Sequence, residues 1–167
     1  MGPSLGASGV ALARPDACTT SGSTATCRGN QSARIADGVD VAPTIGAAVL
    51  QNLTTNVTPV ATAVAGIDRF APPGSGISSI AATFIGGAYQ IRTNGSNAHG
   101  VLVAGRGHSG GIGGFEAFAS EGTGSQGFGG SSPTFCGAGT ITASGDPSSG
   151  VTLVDRGGRG GAGGGAS

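Results

Sequence analysis

In the second half of the chain, larger and smaller side chains alternate in short runs, and each run stops at a cluster of turn-forming residues. Residues 89–93 (YQIRT) and 101–104 (VLVA) alternate with a period of two, which predicts strands. Between them, Asn94-Gly95-Ser96-Asn97 predicts a turn. Gly and Asn tolerate positive φ, and Ser bonds back to the backbone. The layout recurs as residues 140–143, the turn Ser144-Gly145-Asp146-Pro147, and residues 151–154. A glycine-rich loop closes each unit, and no stretch reads as a helix.

The two units align without gaps at an offset of 50 residues, from Gly87 against Gly137 to Gly114 against Gly164. Glycine matches come freely in such a chain. The matches Ile91/Ile141, Val101/Val151 and Arg106/Arg156 in one register do not. A period of this size signals a solenoid or a propeller. A propeller would call for more aromatics than one Tyr and no Trp. Val101 and Val103 alternate with Leu102, so one side of this strand faces a core. As one position of one repeat, Val101 and Val151 are expected to suffer equally from aspartate.

Composition supports an all-β reading. The 167 residues are one domain's worth. Gly (36) and Pro (8) make up about a quarter of them, a share that without a repeat would point to low complexity. Yet charged residues are only 10%, fewer than disordered chains carry. The 37% of apolar residues are mainly Ala, Val and Ile, which suits thin repeated β layers. Eight basic residues balance eight acidic ones and form no patch, so no nucleic-acid partner is expected. All eight cations are Arg; a P-loop needs Lys, so Walker-type nucleotide binding is excluded. No apolar run is long enough for a membrane-spanning helix.

Two enzyme-like patterns overlap at 105–111 (GRGHSGG). Gly105-Arg106-Gly107-His108-Ser109-Gly110 reads as G-x-G-x-x-G, and Gly107-His108-Ser109-Gly110-Gly111 as G-x-S-x-G. A dinucleotide fingerprint must open a helix. The next twenty residues, GIGGFEAFASEGTGSQGFGG, are too rich in glycine to sustain one. A nucleophile elbow needs a later His, and the only two are His99 and His108. Ser109 also becomes Arg159 in the second unit. Both patterns read as by-products of the repeat. Glu116 and Glu121 are the only Glu residues and do not make a glycosidase pair. His99 has no partner at ligand spacing and reads as a turn residue. Asn30, Asn52, Asn56 and Asn94 fall in N-x-[ST] sequons but are expected to serve turns and strand faces. No catalytic, metal-binding or cofactor-binding residue is expected, and the chain is not read as an enzyme.

The N-terminus has an export character. Residues 5–13, LGASGVALA, form a short apolar run ending in Ala11-Leu12-Ala13, an A-x-A cleavage pattern, although the basic segment that usually precedes it is missing. Residues 1–17 therefore read as a signal remnant or a disordered terminus. Cys18 and Cys27 bracket TTSGSTAT. In an exported protein that reads as a small disulfide-closed hairpin, and without further Cys or His it makes a poor zinc site. Cys136 has no base near it in sequence and is expected to be a buried small residue.

Three segments in order resemble the N-terminal passenger region of Gram-negative, alphaproteobacterial autotransporters (type V secretion). CTTSGSTATCRGNQSARIADGV (18–39) is similar to the cysteine-bracketed opening of such passengers. VLQNLTTNVTPVATAVAGI (49–67) resembles the Asn-Leu-Thr segment that comes after it. IRTNGSNAHGVLVAGRGHSGGIGG resembles their repeating unit, a strand ending in T-x-G, then N-A-H-G and a glycine tract. The resemblance implies a right-handed parallel β-helix with glycine-rich loops and poorly ordered termini. Residues 18–39 would be its N-terminal cap, 40–156 its passenger repeats and 157–167 a truncated glycine-rich tail. It further implies export to the cell surface or outer membrane, a C-terminal barrel beyond this sequence as tether, and a non-catalytic structural or adhesive role toward an unidentified host or cell-surface ligand. Two alternatives stand beside it. One is a glycine-rich, largely disordered surface protein; the other is the non-catalytic stem of a passenger whose enzymatic domain lies elsewhere.

Overall fold

A computed structural model describes residues 16–72, 77–107 and 132–158. Among them there is no helix. The strands in chain order are β1 (Thr19–Ser21), β2 (Thr24–Gly29), β3 (Ile35–Ala36), β4 (Ala47–Leu53), β5 (Ile67–Ala71), β6 (Ser79–Ile85), β7 (Ile91–Thr93), β8 (Val101–Arg106), β9 (Ser132–Ala138), β10 (Ile141–Ala143) and β11 (Val151–Arg156). They form three sheets, ordered β1-β2-β4-β6-β9, β10-β7 and β11-β8-β5-β3. Only the β1–β2 hairpin is antiparallel; every other strand pair is parallel.

The chain visits the sheets in a fixed order. The first circuit is β2 then β3, and the second is β4, Val57 and β5, with Val57 bridging to Ile91. The third is β6, β7, β8 and the fourth β9, β10, β11. Between the second and third circuits the step is the same on all three sides. Ala47 pairs with Ala81, Val57 with Ile91 and Ile67 with Val101, each 34 residues on. From the third to the fourth, Ile91 pairs with Ile141 and Val101 with Val151, so the 50-residue register holds there. It does not hold on the first side. Ser79 pairs with Ser132 and Phe84 with Gly137, an offset of 53, so Gly87 and Gly137 are not partners. The corner accounts for the difference: residues 86–90 separate β6 from β7, whereas only 139–140 separate β9 from β10. The basic step is therefore 34 residues, and 50 is that step lengthened by the chain between β8 and β9.

Alternation decides which side chains are sealed. Ala25 and Cys27 of β2, Ala48 and Leu50 of β4, and Ile80, Ala82 and Phe84 of β6 all point inward. Ile67 of β5 and Val101 and Val103 of β8 close the opposite wall, with Val57 and Ile91 at the corner. One irregularity breaks the count. Cys27 pairs with Leu50 but Gly29 with Leu53, so β4 holds one extra residue. Asn52, with φ 51°, takes up the bulge and lets Leu53 turn inward again. The wall remains narrow because glycines sit where circuits touch. A Cβ on Gly66 would lie 2.4 Å from Ile91 Cγ2, and one on Gly100 would lie 2.3 Å from Ile141 Cγ2.

The two ends differ. At the first circuit, β1 folds back antiparallel over β2, and Cys18 is bonded to Cys27. Gln31 is fully buried and donates from Nε2 to the carbonyls of Asp16 (2.7 Å) and Arg28 (2.8 Å). At the fourth circuit the inward side chains are uncovered, with Val151 41% and Leu153 48% exposed. Cys136, expected to be buried, is exposed. It alternates with the inward Phe135, and among the described residues no strand lies beyond β9 in its sheet.

Candidate functional site

The described residues place two groups of chemistry-bearing side chains that the sequence pattern did not single out. The first is internal. Arg69 of β5 is fully buried, because it occupies the inward phase shared with Ile67 and Ala71. Its Nε lies 3.1 Å from Asp37 Oδ1, and Nη2 donates to the Ile45 carbonyl. Asp37 Oδ2 in turn accepts from the Phe70 amide at 2.6 Å. Burial pushes the Asp37 carboxyl up to about 6, against the opposing pull of Arg69. Burial likewise lowers the Arg69 pKa, opposed by Asp37. Asp68 on the other side of the strand is raised by burial, with Arg34 opposing. The pair ties the first circuit to the second through the core. The Arg69 side chain is 0% exposed and that of Asp37 7%.

The second group lines an open groove of about 580 Å³ beside the β7–β10 sheet. Its walls are Thr58, Pro59 and Val60 on one side and Arg92, Thr93, Asn94, Thr142 and Ser144 on the other. Arg92 points outward because its neighbours Ile91 and Thr93 point in. Thr142 sits beside it, since β10 pairs with β7 in register. Backbone bonds fix the walls. The Arg92 amide donates to the Val57 carbonyl (2.9 Å), the Ala63 amide to Ser96 (3.0 Å) and the Ser144 amide to Thr93 (2.8 Å). Gly95 admits the loop closely, since a Cβ there would lie 2.9 Å from Thr62 Cα. Arg92 Nε donates to Gln90 Oε1 at 2.9 Å, which orients the guanidinium. Val60 stands 94% exposed at the rim.

Of the residues weighed in sequence, Cys18 and Cys27 are joined, with sulfurs 1.97 Å apart, across the β1–β2 hairpin. His99 Nδ1 accepts from the Ser149 amide at 3.2 Å and lies 3.2 Å from Thr152 Oγ1, so it links the third circuit to the fourth. Asn30 Oδ1 accepts from the Ser32 amide and from Thr55 Oγ1, both at 3.1 Å. Asn56 Oδ1 accepts from the Gln90 amide at 2.9 Å. His108, Ser109, Glu116, Glu121 and Arg159 lie outside the described residues, as does the A-x-A pattern at 11–13. Gly105 and Arg106, which open the glycine-rich pattern, belong to β8, with the Arg106 guanidinium 5.5 Å from the centre of the Phe70 ring. No group of three metal-ligating side chains occurs among the described residues, and no helix among them is long and apolar enough to cross a membrane.

No protein family, no curated protein and no solved structure matches this chain. The strand pattern marked neither Arg69 nor Arg92. The phase of Ile91-Arg92-Thr93 puts Arg92 outside, whereas Ile67 and Phe70 lie on opposite phases of β5 and leave the side of Arg69 open. What the pattern could not give was the partner of either.

Proposed function

We propose that this chain is a non-catalytic surface module, the passenger segment of an exported autotransporter built as a right-handed parallel β-helix. The observation that carries the reading is the circuit itself. Parallel strands return to the same three sheets in register, and the first circuit is closed by a disulfide hairpin. Such a stack buries small apolar side chains in a narrow interior and presents its outer strand faces and loops as an elongated surface. The disulfide supports an oxidising compartment. The exposed positions are rich in Thr, Ser, Asn and Gly, which suits adhesive contact with a host or cell-surface ligand. On this reading the outer-membrane tether is a C-terminal barrel encoded outside this sequence.

The test is localisation of the chain expressed with its native flanking sequence in a Gram-negative host. Surface exposure predicts antibody labelling and protease shaving on intact cells, with Cys18 and Cys27 blocked to alkylation. Recovery from the cytosol only, with both cysteines reactive, would overturn the proposal.

A further inference from the structure

We propose that the groove beside β7 and β10 binds a carboxylate-bearing sugar. This deepens the adhesive reading above by naming the ligand class of one site. The groove holds chemistry that the fold does not use. Arg92 has no carboxylate partner among the described residues, and no acidic residue lines the groove. Its Nε is engaged by Gln90, which leaves the Nη1 and Nη2 fork for a ligand. A guanidinium fork matches the two oxygens of a carboxylate in a bidentate pair. Around it stand Asn94, Thr142 and Thr58, whose side-chain amide and hydroxyls have no partner among the described residues. Those three groups offer both donors and acceptors, as ring hydroxyls require. Val60 gives an apolar edge for the C–H face of a sugar, and its near-complete exposure has no packing explanation.

The walls are held by backbone bonds from adjacent circuits, so little conformational freedom is lost on binding. A groove of about 580 Å³ falls in the range of small-ligand sites. The adjoining groove of about 500 Å³ across the same loop is lined by Ser32, Ala33 and Arg34. There Arg34 already acts on Asp68, so its charge is partly spent. Arg92 is therefore the better anion site.

The experiment titrates the full chain with an oligogalacturonate trimer and, separately, with its methyl ester. Binding is followed by calorimetry and by amide chemical shifts. The acid form is expected to bind at least roughly tenfold more tightly than the ester, and more weakly as salt rises. Arg92→Ala should abolish the preference for the acid, Arg92→Lys should keep part of it, and Arg156→Ala, outside the groove, should change nothing. Equal affinity for acid and ester, no binding of the acid, or an unchanged Arg92→Ala variant would each overturn the site. All these residues are exposed, and an unchanged far-UV spectrum checks that the variants fold. Because the readout is binding by purified protein, its failure is separate from a failure of surface localisation.

Discussion

Val101 and Val151 are register partners in adjacent parallel strands, yet Val101 is fully sealed and Val151 is 41% exposed. Both point inward, but an inward side chain is sealed only when another circuit stacks on it. Val101 lies between Ile67 and Val151; among the described residues nothing lies beyond Val151. The glycines just before them repeat the asymmetry. A Cβ on Gly100 would meet Ile141 and the Gly150 carbonyl, whereas one on Gly150 meets nothing within 4 Å.

Equivalent positions should therefore respond unequally. Val101→Asp places a charge in the core and should cost more than about 3 kcal/mol, enough to abolish the β spectrum or drive aggregation. Val151→Asp leaves the carboxylate in water and should cost less than about 1 kcal/mol. Gly100→Ala should destabilise and Gly150→Ala should not. Urea midpoints for the four variants decide the matter. Equal losses at Val101 and Val151 would mean that the fourth circuit is covered in solution.

The second and third strands of the last two circuits were legible in sequence because side-chain phase is local, whereas their first strands, β6 and β9, were not marked. Residues 89–93 and 101–104 contain β7 and most of β8, and the turns between them follow from Asn and Gly. The 50-residue match was visible because Ile, Val and Arg coincide with glycine. The 34-residue step was not, although it joins three sides of two circuits. Only Ala47/Ala81, Ala48/Ala82 and Gly66/Gly100 mark it by identity, and Val57/Ile91 and Ile67/Val101 mark it by type. Packing asks for small or branched side chains there, not for particular ones. Val151 escaped for another reason: it points inward, and its exposure depends on what stacks above it, which phase within a strand does not encode. Cys136 instead faces outward, opposite in phase to Phe135, on the last strand of its sheet among the described residues. Asp37 with Arg69, and Thr58 with Arg92, meet only after a full circuit, so neither pairing has a local signature.

The three cysteines should separate cleanly. Without reductant and without denaturant, iodoacetamide should add one label, at Cys136, and after reduction of the unfolded chain it should add three. The Cys18–Cys27 bridge spans a sequence separation of only 9, so its loss should cost no more than roughly 2.5 kcal/mol on chain entropy. Cys27→Ser should nevertheless cost more than Cys18→Ser, because Cys27 is fully buried and Cys18 only partly. Intact mass gives the first result and urea midpoints the second.

Asp37 predicts a pH dependence of definite sign. Its carboxyl is raised from 3.8 to about 6, chiefly by burial, so the folded chain holds this proton more tightly than the unfolded chain does. The stabilisation is fully present below about pH 4 and is lost as pH rises through about 6. Asp68, also raised, acts in the same direction. Asp37→Asn removes the first contribution. Its urea midpoint relative to wild type should therefore improve between pH 4 and pH 7. The opposite trend would show that attraction to Arg69 outweighs burial in setting this group.

Ala63 and Asn97 share one conformation across the 34-residue step, with φ 58° and 56°. Each precedes by three residues a glycine packed beneath the next circuit, Gly66 or Gly100. The left-handed region costs an ordinary L-residue roughly 1–2 kcal/mol, whereas Asn visits it routinely. Asn97 therefore suits its site and Ala63 does not. Ala63 is exposed, and its amide donates to the Ser96 carbonyl, so the main chain is held while the side chain is free. Ala63→Asn should raise stability by up to about 1 kcal/mol. Ala63→Gly should gain less, because glycine also has more conformational freedom to lose on folding. Asn97→Ala should lose a similar amount. Urea midpoints at one pH measure all three. A loss with Ala63→Asn together with no loss from Asn97→Ala would mean that the two turns are not one repeated position, and the 34-residue step would then be confined to the strands.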